Sequence, residues 1–215
     1  MKSCILFSII ALTISFNISR GQPAHSKGAT VTSQNTSASQ REIAVLQTSM
    51  GTFRIELYRK DAPKTVENFV KLAEKKYFDG MRVHRVVKGF VIQTGDPNSR
   101  DPAKAGLWGT GGESIYGGEF EDELDPRTPS AKEGYKRGVV AMANRGPNTN
   151  TSQFFVCLRD VNLPLQYSIF GKVVKGWDVV EKIGQVEIVG PNDTRPKKDI
   201  MLKKVTIKRE KASSK

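Results

Sequence analysis

From Arg41 onward the chain consists of short runs in which apolar and polar residues alternate, separated by turns rich in glycine, proline and asparagine. Alternation over a few residues is typical of half-buried β-strands. The sequence predicts eight such strands, at 43–45, 53–57, 81–87, 90–94, 138–142, 154–158, 167–174 and 202–208. Helical segments do not alternate regularly with these strands, which argues against a doubly wound parallel sheet.

Two segments have the apolar spacing of an α-helix. The first opens at Asp61 and Pro63, because proline is tolerated in the first helical turn and an acidic residue there favours the helix dipole. It continues to Tyr77 before a stop at Gly80, and the second helix covers 177–183. The predicted fold is therefore mainly β: a closed eight-stranded antiparallel barrel capped by two α-helices, because closure removes exposed strand edges.

The N-terminus has the pattern of a secretory signal peptide. Lys2 is followed by no charged residue from Ser3 to Ser19, and Ser19 and Gly21 are small residues placed as in a cleavage site. Residues 1–21 are therefore predicted to be a signal peptide. An uncleaved membrane anchor is the alternative, although the uncharged stretch is interrupted by polar residues and is short for a spanning helix.

Three further parts follow the predicted signal peptide. Residues 22–40 contain Val31 as their only large aliphatic residue, too little apolar surface to offset the entropy of ordering, so a disordered linker is expected. The folded domain is predicted at 41–210, and a short basic tail at 211–215.

The net charge of +12 resides mainly at the two ends of the chain. Residues 1–40 hold three basic and no acidic residues, and residues 195–215 hold nine basic and two acidic residues, which leaves 22 basic and 20 acidic residues in 41–194. A dedicated nucleic-acid groove should place the positive charge on the folded body. No specific nucleic-acid partner is expected.

Cysteine and histidine are scarce, which limits the chemistry available. The chain has two of each, and only Cys157 and His84 fall inside the predicted domain. A structural zinc site normally uses four such ligands, so neither a metal site nor a disulfide is expected. Cys157 lies in a predicted strand, where a lone thiol usually behaves as a small hydrophobic residue.

The long interval 96–137 is rich in glycine and proline, and loops of this length are usually functional. The glycines at 109–112 do not bind a dinucleotide, because Ser114 stands where the third glycine of that fingerprint is required. The sequence contains no Gly-x-Ser-x-Gly elbow, so a hydrolase of that type is not indicated. The acidic cluster at 119–125 is interpreted as a solvated surface.

Two stretches remain that combine an arginine, glutamines and aromatic residues on predicted strands. In VHRVVKGFVIQTGD, Arg85 shares the strand face of Val83 and Val87, and in MANRGPNTNTSQFFV, Gln153 and Phe155 point to one face. Together with GTGGESIYGGEFEDE and YSIFGKV, these stretches resemble the cyclophilin family of peptidyl-prolyl cis/trans isomerases. The resemblance covers roughly residues 43–208.

The resemblance implies a barrel with a substrate groove on its outer face, no cofactor, and Arg85 as the catalytic residue. It also implies substrate-binding residues: Phe90, Val91, Phe155, Leu163 and Tyr167 around the proline ring, Gln93, Ala143, Asn144 and Gln153 on the peptide backbone, and Thr110, Gly111 and Arg145 beside the flanking residues.

Several positions depart from the pattern of many family members. Val91 stands where many have Met, Tyr167 where many have His, and Asn162 where the members that bind cyclosporin tightly have Trp. Weak cyclosporin binding is therefore expected, since an indole would contribute a large apolar contact. The segment 96–108 is longer than in compact members, so its contacts do not transfer.

The function expected from the resemblance is peptidyl-prolyl cis/trans isomerisation of X-Pro bonds in exported proteins as they fold. The expected protein is secreted or periplasmic, monomeric and free of the membrane once the signal peptide is removed. The alternative function is a binding module or chaperone scaffold that holds proline-containing partners without depending on turnover.

The cleavage pattern leads to a direct prediction. The mature chain should begin at or near Gln22, because small residues occupy the recognition positions before it. Mass spectrometry of the exported protein checks this, and an intact Met1–Gly21 segment on a membrane-bound protein would establish the anchor instead.

Overall fold

A computed structural model of the chain describes residues 40–211. The predicted signal peptide, the linker up to residue 39 and tail residues 212–215 lie outside the described residues. The strands are β1 (Gln40–Thr48), β2 (Gly51–Leu57), β3 (Arg85–Val87), β4 (Val91–Thr94), β5 (Val139–Met142), β6 (Phe154–Cys157), β7 (Ile169–Lys175), β8 (Ile188–Gly190), β9 (Asp193–Pro196) and β10 (Leu202–Lys211). The α-helices are α1 (Pro63–Glu74), α2 (Pro129–Glu133) and α3 (Trp177–Gly184).

Eight of the strands form one antiparallel sheet in the order β10-β1-β2-β7-β5-β6-β4-β3. The predicted closure is not confirmed: the sheet is a curled half-barrel. The edge strand β3 has only three residues, and the chain before it, residues 80–83, meets residues 200–202 near the other edge through three backbone hydrogen bonds, around the paired residues Arg82 and Met201. Pairing there is too short to continue the ladder.

The interior of the half-barrel is filled by aromatic side chains from α1, the segment that follows it, β6 and β7. The ring of Phe69 lies 5.0 Å from that of Phe78 and 5.4 Å from those of Phe154 and Phe170. Successive side chains of a strand point to opposite faces, so Phe154 joins this interior while its neighbour Phe155 joins a second apolar cluster on the other face. That outer cluster carries the candidate site.

The predicted helix after Pro63 ends earlier than its apolar spacing suggests. It stops at Glu74, and Lys76 adopts a positive φ of 58° that turns the chain, so Tyr77 lies beyond the helix. Four elements were not predicted from the sequence: α2, the β8–β9 hairpin and two short 3₁₀ turns, Pro97–Arg100 and Pro102–Leu107. These elements are too short to produce a recognisable period. Within residues 40–211 the structure contains no helix with the length and apolar character needed to span a bilayer.

The acidic cluster at 119–125 is not simply a solvated surface. Helix α1 has no side-chain cap of its own at Ala62. The Glu123 carboxylate replaces one, because it accepts hydrogen bonds from the backbone N–H groups of Lys64 at 3.0 Å and Thr65 at 2.8 Å. Glu123 thereby ties the long loop to the start of the helix.

We predict that Glu123→Ala lowers the free energy of unfolding by about 1 kcal/mol, the typical value of a lost helix cap. Denaturant unfolding measures the change. Glu121→Ala is the matched control, because Glu121 pairs only with the Lys64 side chain and half of each side chain is exposed; it should leave stability unchanged. Equal effects of the two substitutions would contradict the capping role.

Candidate active site

Three neighbouring strands place the central residues of the site in one row. Arg85 on β3 pairs with Gln93 on β4, and Gln93 pairs with Phe155 on β6. Directly paired residues on adjacent strands point to the same face. The row therefore lies on the outer face of the sheet, as the sequence predicted for the groove.

Nine of the predicted residues line one cavity of about 180 Å³ on this face. They are Arg85, Phe90, Val91, Gln93, Ala143, Asn144, Phe155, Leu163 and Tyr167. Its apolar wall is rigid, because Val91 and Phe155 are buried and Tyr167 packs edge-on against Phe155 with 5.6 Å between ring centroids. The cavity combines an apolar wall for a small ring with a guanidinium at its side.

A chain of hydrogen bonds orients the guanidinium. Arg85 Nη1 donates to Gln93 Oε1 at 3.2 Å, and Gln93 Nε2 donates to Gln153 Oε1 at 2.9 Å. Gln153 is buried and is not among the residues that line the cavity. Its Nε2 donates to the backbone carbonyls of Gly109 and Gly111.

The remaining predicted residues border the site. Arg145 is exposed, donates to the backbone carbonyl of Thr110 at 3.1 Å and pairs with Glu119 at 2.6 Å. Thr110 is exposed on the 109–112 loop, and Gly111 next to it is partly buried. The roles of the predicted residues in substrate binding stay predictions.

His84 is the only histidine within the described residues, and it does not face the cavity as a base. Its side chain is 4% exposed, and neither ring nitrogen has a hydrogen-bond partner in residues 40–211. Burial lowers the pKa of His84 from 6.5 to about 4, against the opposing effect of nearby Asp96. His84 is therefore neutral at physiological pH.

Two other observations bear on the chemistry. Cys157 is a buried free thiol, as predicted, and burial raises its pKa to about 12, so it is not a nucleophile at neutral pH. Within residues 40–211 there is no group of three His, Cys, Asp or Glu side chains that could hold a metal ion.

Sequence reasoning missed Asp96, which lies under the 109–112 loop. Its side chain is fully buried and accepts a hydrogen bond from the backbone N–H of Gly109. One sequence signal was available. Asp96 follows Thr94 and Gly95, directly after the end of a strand, which is a position where a carboxylate can accept hydrogen bonds from the backbone of the next loop.

The arrangement suits rotation of a peptide bond. Amide resonance opposes that rotation with a barrier of about 18 to 20 kcal/mol, and no bond has to break. In the twisted amide the prolyl nitrogen regains a lone pair, which a permanently charged guanidinium can reach while the apolar wall holds the ring. A catalyst that binds the twisted form more tightly by about 7 kcal/mol gains roughly 10⁵-fold in rate.

Comparison with known proteins agrees with this geometry. A family model described as cyclophilin type peptidyl-prolyl cis-trans isomerase/CLD matches residues 43–207. Peptidyl-prolyl cis-trans isomerase-like 1 of Mus musculus is 44% identical over 160 residues, covering 74% of this chain and 88% of the mouse protein. Peptidyl-prolyl cis-trans isomerase 10 of Caenorhabditis elegans is 42% identical over 163 residues, covering 75% and 92%.

A solved structure of a Cryptosporidium parvum cyclophilin type peptidyl-prolyl cis-trans isomerase superposes with a TM-score of 0.69 at 32% identity, covering 78% of this chain and 98% of that chain. The C. parvum protein in the presence of the dipeptide Ala-Pro gives a TM-score of 0.68, also at 32% identity, covering 77% and 98%. The fold and the match over most of the chain define a cyclophilin. This chain belongs to the cyclophilin family: it is a peptidyl-prolyl cis-trans isomerase.

Arg85 is the predicted catalytic residue, and its replacement tests that role. Arg85→Ala should lower the on-enzyme isomerisation rate of a short X-Pro peptide at least about 100-fold, because the donor to the prolyl nitrogen is lost. The Kd of the peptide and the thermal midpoint should change little. Exchange NMR measures the rate, peptide titration measures the Kd, and thermal unfolding measures the midpoint.

Arg85→Lys is the informative companion variant. A compact ammonium cannot donate to Gln93 and to the substrate at once in the fixed geometry of the planar fork, so the rate should recover poorly. Full activity of either variant would overturn the assignment of Arg85.

The low pKa of His84 also predicts a loss of stability in acid. In the unfolded chain His84 binds a proton below about pH 6.5, whereas in the folded protein it stays neutral until about pH 4. Stability should therefore fall by roughly 2 to 3 kcal/mol as pH drops between these values. Denaturant unfolding at pH 7 and pH 4.5 should show a smaller fall in His84→Gln, and an identical fall would contradict the prediction.

Proposed function

We propose that this isomerase acts on exported polypeptides, at exposed X-Pro bonds, while they fold outside the cytoplasm. The observation that carries the proposal is the N-terminal pattern: Lys2, an uncharged stretch from Ser3 to Ser19, and small residues at the cleavage positions. The mature enzyme is then secreted or periplasmic and is not attached to a membrane.

The open position of the groove supports action on long polypeptides. Arg85, Phe90 and Leu163 line the cavity and are each partly exposed, so the site lies at the surface. A prolyl residue within an unfolded chain could enter without its neighbours having to be buried. Uncatalysed X-Pro isomerisation takes tens to hundreds of seconds and is slow enough to limit folding.

The proposed enzyme is a monomer. Four large apolar side chains are exposed among the described residues, namely Leu107, Tyr116, Val174 and Val189. They lie in a 3₁₀ turn, a loop, β7 and β8, and exposed apolar residues scattered in this way are usual on monomeric proteins.

The folded domain also bears on modification during export. Asn150 begins an Asn-x-Ser/Thr triplet, but its side chain is fully buried and donates to the Phe120 carbonyl at 3.1 Å and to Asp122 at 2.7 Å. In a folded molecule this amide is not accessible for glycosylation. Three further triplets begin at Asn17, Asn35 and Asn192. Asn192 is exposed in the turn between β8 and β9, whereas Asn17 and Asn35 lie outside the described residues.

Two reporters that share one slow-folding domain with a required cis-proline test the proposal, one exported and one retained in the cytoplasm. The full chain should accelerate maturation of the exported reporter only. A variant that lacks residues 2–21 is the matched control and should accelerate the cytoplasmic reporter only. Arg85→Ala in the full chain should accelerate neither.

Acceleration of the cytoplasmic reporter by the full chain would overturn the proposed location. A second outcome would change the function itself. If the full chain and its Arg85→Ala variant bind the reporters and accelerate folding equally well, the protein acts by holding proline-containing segments and not by turnover.

A further inference from the structure

A buried carboxylate lies behind the loop that borders the cavity. Asp96 has no exposed surface. Its carboxylate accepts hydrogen bonds from the backbone N–H groups of Asn98 at 2.8 Å, of Gly111 at 3.3 Å and of Gly109. The carboxylate thereby holds the two glycines in place from below.

The carbonyls of the same two glycines are bonded to Gln153. Gln153 Nε2 donates to the carbonyl of Gly109 at 3.0 Å and to that of Gly111 at 2.6 Å. An amide NH₂ group has two hydrogens, so these two bonds use both of them. The orientation of the Gln153 amide is therefore set by the loop.

This orientation is passed on to Arg85. Since its NH₂ group faces the loop, Gln153 presents its oxygen to Gln93, whose Nε2 donates to it at 2.9 Å. Gln93 must then turn its own oxygen towards Arg85, which donates to it at 3.2 Å. A reversed amide would place an NH₂ donor against the guanidinium, which has donors only.

The loop is shaped to fit the carboxylate. A Cβ atom at Gly111 would lie 2.4 Å from Asp96 Oδ1, closer than atoms can approach, and Gly109 has a positive φ of 91°. Glycine is needed at 111 because the carboxylate approaches its backbone, and at 109 because of the backbone conformation. These glycines therefore serve contact with Asp96, not contact with a phosphate.

We propose that Asp96 is a positioning residue for the isomerase reaction. By fixing the amides of Gly109 and Gly111 it fixes the carbonyls that orient Gln153, and through Gln93 it aims Arg85 at the cavity. The proposal rests on the catalytic role assigned to Arg85.

Asp96→Asn tests the proposal. Asparagine has the same size, but an NH₂ donor replaces one of the two carboxylate oxygens, so the side chain can no longer accept hydrogen bonds from all three backbone N–H groups. We expect the on-enzyme isomerisation rate of a short X-Pro peptide to fall about tenfold, with peptide Kd and thermal midpoint little changed. Asp101→Asn is the matched control. Both aspartates cap a 3₁₀ turn: Asp96 accepts from the N–H of Asn98, and Asp101 accepts from the N–H of Ala103 at 2.9 Å. Asp101 is exposed, so its replacement should leave the rate unchanged.

A double-mutant cycle separates positioning from a general structural role. If Asp96 acts through Gln93, then Asp96→Asn should cost less than about twofold in a Gln93→Ala background. Gly111→Ala displaces the loop from the Asp96 carboxylate but leaves the carboxylate in place. This variant should also lower the rate in the unsubstituted background and cost little in the Gln93→Ala background, which keeps the proposal testable even if Asp96→Asn fails to fold.

Equal losses in both backgrounds, or no loss in either, would overturn the positioning role of Asp96. The Arg85→Ala rate is measured in parallel. If Arg85→Ala retains activity, the catalytic assignment itself fails. If Arg85→Ala is inactive while Asp96→Asn and Gly111→Ala are fully active, only the inference about Asp96 fails.

Discussion

Side chains along β6 point alternately to the two faces of the sheet, and both the core and the site depend on this alternation. Phe154 and Val156 pack inside the half-barrel, whereas Phe155 and Cys157 pack on the outer face. A shift of one residue in register would exchange the two sets. The aromatic interior, with rings about 5 to 6 Å apart, fixes that register and so fixes the wall of the cavity.

The polar half of the site depends on the same register. Arg85, Gln93 and Phe155 lie side by side only because β3, β4 and β6 pair as they do. The hydrogen bonds from Arg85 through Gln93 to Gln153 then connect this row to the 109–112 loop. The site thus combines a cation and an apolar wall. If Arg85 stabilises the twisted amide as predicted, no group has to gain or lose a proton during rotation.

Much of this was predictable from sequence, because period-two alternation gives strand faces directly. All eight strands of the main sheet were predicted in this way. The site residues were predicted from the family resemblance instead, and nine of them meet at one cavity. The predicted closure was not confirmed, and the open edge was not predictable, because it depends on the length of β3. The positions of Gln153 and Asp96 were not predictable either, because they depend on hydrogen bonds with a loop that is distant in sequence and has no periodic pattern.

The central claim is that Arg85 acts as a fixed cation, and the pH dependence of the on-enzyme isomerisation rate tests it most directly. The rate should be nearly flat from roughly pH 6 to 9, because arginine stays charged throughout and the pKa of His84, about 4, lies below this range. A rate that rises along a single titration within the range, and that is lost in His84→Gln, would contradict the account.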